Sequence, residues 1–206
     1  MIKRPVPSLM AALLCTLFLA GCANVIPGRG VPPKLFSLSP KSTYSAGLPT
    51  VNWQLVVEVP ITAETLDTAR IALSRDRYTL DFYGNARWAE RAPMMIQTLL
   101  VESFENTEKI VAVARQATDL RADYVLKTDL REFQAELSGD GRPTVRVRIN
   151  AKLVKMPERI IIASFKSERA VEAESSNLID VVRAFDTALG KVLKQVVEWA
   201  LMAPGG

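Results

Sequence analysis

Thr144-Val145-Arg146-Val147-Arg148-Ile149-Asn150-Ala151-Lys152-Leu153-Val154-Lys155 alternates apolar and polar residues more cleanly than any other stretch of this chain. Successive side chains of a strand point to opposite faces. Val145, Val147, Ile149, Ala151 and Leu153 therefore share a covered face, and Arg146, Arg148, Asn150 and Lys152 share a wet one. One covered face and one wet face is the pattern of an antiparallel sheet.

The neighbouring segments extend that sheet. Upstream, residues 124–130 and 133–137 read as one long strand. Its inward parity changes between Leu130 and Phe133, which predicts a bulge near Arg131. Ser138-Gly139-Asp140-Gly141 turns the chain into the strand at 144–155, and the stretch from Asp119 to Asp123 is a turn before Tyr124. Downstream, Met156-Pro157-Glu158-Arg159 turns again and residues 160–171 return. Ser176 is placed to cap a last helix over 177–202, with Asp180 in its first turn, where a negative charge meets the positive end of the helix. Leu178, Val182, Phe185, Leu189, Val192, Val196 and Ala200 form its apolar stripe, opposite Lys191 and Lys194.

Before Tyr124 the elements are shorter. Residues 34–39 form a first strand stopped by Pro40, and a polar loop follows over 41–50. Residues 54–59 are a strand ended by Pro60, and 62–68 connect onward. Arg70-Ile71-Ala72-Leu73 and Tyr78-Thr79-Leu80-Asp81-Phe82-Tyr83 read as a hairpin, although Ser74-Arg75-Asp76-Arg77 between them lacks glycine. Gly84 to Trp88 leads into a helix over 89–105, with a stripe of Ala92, Ile96, Leu99, Leu100 and Phe104. Pro93 restricts its own position to the first turn. A short strand follows at 110–114. Two helices after groups of strands predict an α+β fold: a mixed, largely antiparallel sheet with two main helices packed on one face.

The amino-terminal segment is of another kind. Lys3 and Arg4 precede an apolar run from Leu9 to Ala20, which ends in Leu19-Ala20-Gly21-Cys22. Basic, apolar and small residues in that order make a secretory signal. A cysteine directly after the small residues is the bacterial lipobox, in which the Cys22 thiol takes a diacylglyceryl group and the chain is cut before it. An ordinary cleaved signal is the alternative; a membrane anchor would need ~20 apolar residues. Residues 1–21 are thus read as signal peptide, 22–33 as a flexible tether rich in proline and glycine, and 34–202 as a single domain.

Composition removes several chemistries. The chain has no histidine, so Ser-His-Asp and Cys-His nucleophile pairs and histidine zinc sites are excluded. Its two cysteines are Cys15, inside the signal, and Cys22, so no thiol remains for a disulfide or soft metal site. The formal charge is +4, of which Lys3 and Arg4 supply two. That balance does not predict nucleic-acid binding. No metal, cofactor or catalytic residue is expected, and Asp76, Asp81, Glu90 and Glu102 have no spacing that enforces a working carboxylate pair.

Two groups of residues are candidates for a partner surface. Tyr78, Phe82, Tyr83 and Trp88 cluster around the hairpin and the following helix; such aromatics anchor interfaces and fill cores about equally often. Arg146, Arg148 and Lys152, with Lys127 and Arg131 on a neighbouring strand, form a basic strand face. A solvated face is the simpler reading, and docking to an acidic protein patch or phospholipid headgroups is the functional one.

The lipobox, Leu35-Phe36-Ser37-Leu38, the strand ending Val57-Glu58-Val59-Pro60, and Tyr83-Gly84-Asn85-Ala86-Arg87-Trp88-Ala89-Glu90 together resemble the ABC-type transport auxiliary lipoproteins. The resemblance covers about residues 34–202. It implies a non-catalytic lipoprotein anchored to the outer membrane, facing the periplasm. Its implied partners are an MCE-domain protein and, through it, an inner-membrane permease and ATPase, which together move phospholipids or other hydrophobic molecules. Alanine rather than aspartate after Cys22 agrees with outer-membrane sorting. A periplasmic lipid shuttle, with an apolar pocket between sheet and helices, is the alternative function. The sequence leaves the oligomeric state open, a homo-oligomer included.

Overall fold

The computed structural model describes residues 32–203, apart from 77, 116–120 and 138–140. The signal segment, Cys22, the tether up to residue 31, the Ser138-Gly139-Asp140 turn and the start of the turn at Asp119 lie outside the described residues. Nine strands and two helices follow in the order β1 (Lys34–Phe36), β2 (Gln54–Val57), β3 (Ile61–Thr62), β4 (Arg70–Ser74), β5 (Leu80–Trp88), α1 (Ala92–Glu105), β6 (Ala112–Arg115), β7 (Tyr124–Leu137), β8 (Pro143–Lys155), β9 (Ile160–Glu172) and α2 (Leu178–Met202).

The long strand β7 organises the sheet. Along one edge it pairs with β8, which pairs with β9, both antiparallel. Along its other edge three short strands take turns, all parallel to it: β2 beside Tyr124–Leu126, β3 beside Asp129 and Leu130, and β4 beside Gln134–Glu136. Beyond these, β6 pairs with β2, and β5 and then β1 continue from β4. The longest ladders are antiparallel and the parallel contacts are short, so the sheet is mixed and the fold is α+β as the sequence predicts. The β7–β8 register shifts between Leu130 and Glu132, where the parity change places the bulge.

One face of the sheet carries both helices. Val145, Val147, Ile149, Ala151 and Leu153 of β8 are buried there against α2. Burying a side chain of that size is worth about 1.5–3 kcal/mol, so the alternation in β8 fixes its facing. The α2 stripe is broader than its sequence pattern shows, because Val181, Ala184, Ala188, Leu193, Val197 and Leu201 are buried as well. Loop 41–50 is tied to this layer: Ser39 N–H donates to Asp186 and Ser45 N–H to Glu198, each at 2.7 Å.

The structure corrects three local expectations. α1 begins at Ala92 rather than Ala89, because Arg91 is extended and Pro93 sits in the first turn. Arg91 pairs instead with Asp67, and Ala92 N–H donates to the Thr68 carbonyl. The segment before it is strand: β5 runs to Trp88 and receives β1 at Ala86–Trp88. At the other helix, Asn177 is the extended residue before the first turn, and Ser175 rather than Ser176 supplies the local bonds. Its hydroxyl lies 2.6 Å from Asp180 Oδ2 and 3.0 Å from Asn177 N.

Candidate partner surface

The β4–β5 hairpin shows how a turn without glycine holds its shape. Asp76 Oδ1 accepts the N–H groups of Tyr78 and Thr79 at 2.7 and 2.8 Å, and Oδ2 meets the Thr79 hydroxyl at 2.9 Å. This carboxylate stands in for the backbone bonds of a glycine turn. The hydrogen bond from Tyr78 N–H is the main reason the Asp76 carboxyl titrates below its ordinary value. Arg75 Nε reaches Asp81 at 2.8 Å across the hairpin. The result is a fixed tip from which Tyr78 projects, 92% exposed.

Below the tip the aromatics part company. Phe82 is half-buried under Arg70, whose guanidinium carbon sits 3.6 Å from the ring centroid. Tyr83 packs against the core, and burial raises its hydroxyl pKa. One residue of β4, Ile71, then opposes four of β5, Tyr83 to Ala86, in a wide bulge. Asn85 sits in it at φ 53°, a left-handed conformation that asparagine tolerates better than most residues. The bulge swings the chain inward, so Trp88 is 1% exposed and packs on Phe133 and Phe185 at 5.6 and 5.1 Å between centroids. Trp88 is therefore a core residue. The expectation that it anchors a partner is corrected by its burial.

The face of the sheet away from the helices carries Arg146, Arg148 and Lys152, but it is not the basic surface that the sequence suggests. Arg146 meets both oxygens of Glu136 at 3.2 Å and Glu168 at 3.3 Å. Arg148 meets Glu132 at 2.8 Å, and Lys166 meets Glu168 at 3.3 Å. Hydrogen bonding to Glu136 raises the Arg146 pKa, and the bond from Lys166 is the main cause that lowers that of Glu168. Both arginines stand beside carboxylates of the neighbouring strands: Glu132 and Glu168 face Arg148 in register, and Arg146 reaches Glu136 and Glu168. Cross-strand opposite charges stabilise a sheet face, so these arginines are largely neutralised where they stand. Lys127 is held by Glu58, and Arg131 pairs with Asp129. Lys152 makes no ion pair among the described residues and faces Lys127 and Ser164 in register. The sequence reading missed Glu132, Glu136 and Glu168; their alternation is visible, but their pairing needs the register.

An open groove of about 590 Å³ joins the two groups. Ser74, Arg75 and Asp76 of the hairpin form one wall, and Glu132, Glu136 and Arg146 the other. Tyr78 and the charged lattice thus belong to one end of the sheet, while Lys152 lies further along β8. Between sheet and helices the side chains close-pack: Trp88, Phe104, Phe133, Phe185 and Leu126 are fully buried there. Among the described residues no group of three or more acidic, cysteine or histidine side chains could hold a metal. None of the described helices is long and apolar enough to cross a membrane.

The family described as ABC-type transport auxiliary lipoprotein component matches residues 35–197, from β1 into the last turns of α2. The chain belongs to that family. A crystal structure of protein XCC0632 from Xanthomonas campestris, assigned to the DUF330 family, superposes with a TM-score of 0.79 at 31% identity. The match covers 84% of this chain and 97% of that one. A second crystal structure, of an uncharacterized protein, has a TM-score of 0.65 at 12% identity over 82% of this chain and 99% of its own, a likeness of fold alone. Protein bll6063 of Bradyrhizobium diazoefficiens, itself uncharacterized, is 25% identical over 186 residues, 90% of this chain. This ABC transport auxiliary lipoprotein spans half the length of that curated relative.

Proposed function

We propose that this lipoprotein is a non-catalytic docking component, acylated at Cys22 and held at the periplasmic face of the outer membrane. It receives the far end of a conduit built by an MCE-domain protein, which an inner-membrane permease and ATPase drive. The cargo is phospholipid or another hydrophobic molecule. Family membership across residues 35–197 supports the transport role. The observation that carries docking over carriage is the filled interior: the layer between sheet and helices, where a shuttle would hold its lipid, is occupied by Trp88, Phe133, Phe185 and their neighbours. A lipid site needs a cavity of several hundred cubic ångströms, on the order of 300–1,000 Å³.

Three acyl chains contribute about 0.8 kcal/mol per buried methylene, enough for stable anchoring.

Labelled palmitate tests the anchor. The wild-type protein is expected to carry label and fractionate with the outer membrane, and Cys22→Ser to lose both. Native mass spectrometry of the domain from Pro32 onward, prepared without detergent, tests docking against carriage. Lipid-free protein is the expected result, and stoichiometric phospholipid would favour the shuttle.

A further inference from the structure

Among the described residues the sheet ends on one side in β9, thirteen residues long and paired only with β8. The strands at its other limits, β1 and β6, have three and four residues. A long free edge exposes unpaired backbone donors and acceptors, and soluble proteins blunt such edges with charge, proline or brevity. The second half of β9 follows that rule with Lys166, Glu168, Arg169 and Glu172. The first half, Ile160-Ile161-Ile162-Ala163-Ser164-Phe165, has no charge and no proline, and its one irregularity is a register shift against β8 at Ile162. Its three isoleucines are 58%, 52% and 39% exposed.

Apolar ground flanks this stretch on both faces. On the open face, Val125, Val154, Met156 and Ile161 line a groove of about 390 Å³. On the helix face, Phe165 stacks on Trp199 at 5.4 Å, with Met202 exposed beside them. The charge around the groove is asymmetric. Glu58 is engaged by Lys127 and Glu158 faces Lys155 at 3.8 Å, whereas Arg159 in the groove wall and Lys152 nearby have no carboxylate partner among the described residues.

We propose that the β8–β9 tip takes an extended segment of a partner protein as a further strand on β9, apolar on both faces and bearing a carboxylate for Arg159. Backbone pairing supplies the docking and the flanking grooves select the side chains. A second copy of this chain pairing through β9 fits less well, since its β9 edge brings the same Arg159 and carboxylates, Glu168 and Glu172, that already meet cations. A lipid surface fits less well too, because it offers no backbone groups to pair with the free edge of β9. This inference rests on the docking reading and names the surface and segment type for it.

The domain from Pro32 onward suits the test, because its buried core runs from Leu38 to Leu201 and the Xanthomonas chain crystallised over nearly the same extent. The probe is a fluorescein-labelled peptide, Glu-Val-Thr-Val-Ile-Val-Glu, followed by anisotropy. Saturable binding is expected. It should weaken about tenfold or more when the peptide's glutamates become lysines, and likewise for the Ile161→Lys and Arg159→Glu proteins. Ile179→Lys, which removes an exposed isoleucine on α2, should bind as wild type. Methylating alternate peptide nitrogens in the two possible phases should abolish binding in one phase only. Four results would each overturn the proposal: no binding, equal binding by both methylated peptides, self-association in sedimentation that depends on Ile161, or Ile161-dependent partition onto anionic vesicles. If the peptide fails while the transport components still co-purify with the full lipoprotein, this inference falls and the docking reading stands.

Discussion

Two hairpins of the sheet, β4–β5 and β8–β9, point to opposite ends of β7 and solve the problem of an exposed turn differently. At the first, Asp76 satisfies the backbone, Arg75 pairs with Asp81 and a single aromatic, Tyr78, is presented to solvent. At the second, three isoleucines lie bare beside two unmatched cations. A polar, self-satisfied tip is stable in water without a partner. An apolar edge with unpaired backbone gains only when covered. The same local fold thus carries a finished surface at one end and an unfinished one at the other.

The comparison can be broken first at the root of the β4–β5 hairpin. Trp88→Ala should destabilise the domain by about 3–5 kcal/mol, as the deletion of a large core aromatic does. Tyr78→Ala, at the exposed tip of the hairpin, should leave urea unfolding within about 0.5 kcal/mol of wild type. Equal effects would mean that the aromatics form one cluster after all. A smaller change is expected on the charged lattice. Arg146→Met strands Glu136, takes one of its cations from Glu168 and should cost about 1 kcal/mol, an effect that shrinks in high salt. A salt-independent loss would point to packing of the arginine stem instead.

The smallest effect is electrostatic and depends on pH. Asp76 and Glu168 both have folded pKa values lowered by partners that folding supplies. A lowered carboxylate pKa contributes stability that is fully present above the unfolded value and is lost as pH falls through the folded one. Melting curves below the ordinary carboxylate range should therefore fall more gently for Asp76→Asn than for wild type. Parallel curves would show that the turn bonds do not depend on the charge.

Much of this was legible in the sequence because it is local. The alternation of β8, the parity change at Arg131 and the stripe of α2 each follow from burial on one face, and each stands in the structure. What escaped is non-local. Three short parallel strands share one edge of β7, and no periodicity within β2, β3 or β4 announces that partner. Trp88 reads equally as core or as interface because residues 84–88 read as a lead into a helix; the wide bulge there is a property of pairing with β4 and β1. The arginines of β8 looked basic because their carboxylates come from β7 and β9. At the β8–β9 tip the isoleucines read as an ordinary returning strand, and only the sheet order reveals that β9 has no outer neighbour among the described residues.

The docking account is tested most directly by crosslinking intact cells, purifying the tagged lipoprotein from envelopes and identifying what comes with it by mass spectrometry. Recovery of an ABC ATPase, a permease and an MCE-domain protein, lost from Cys22→Ser cells, is the predicted result. Recovery of the lipoprotein with bound phospholipid and none of those three would contradict it.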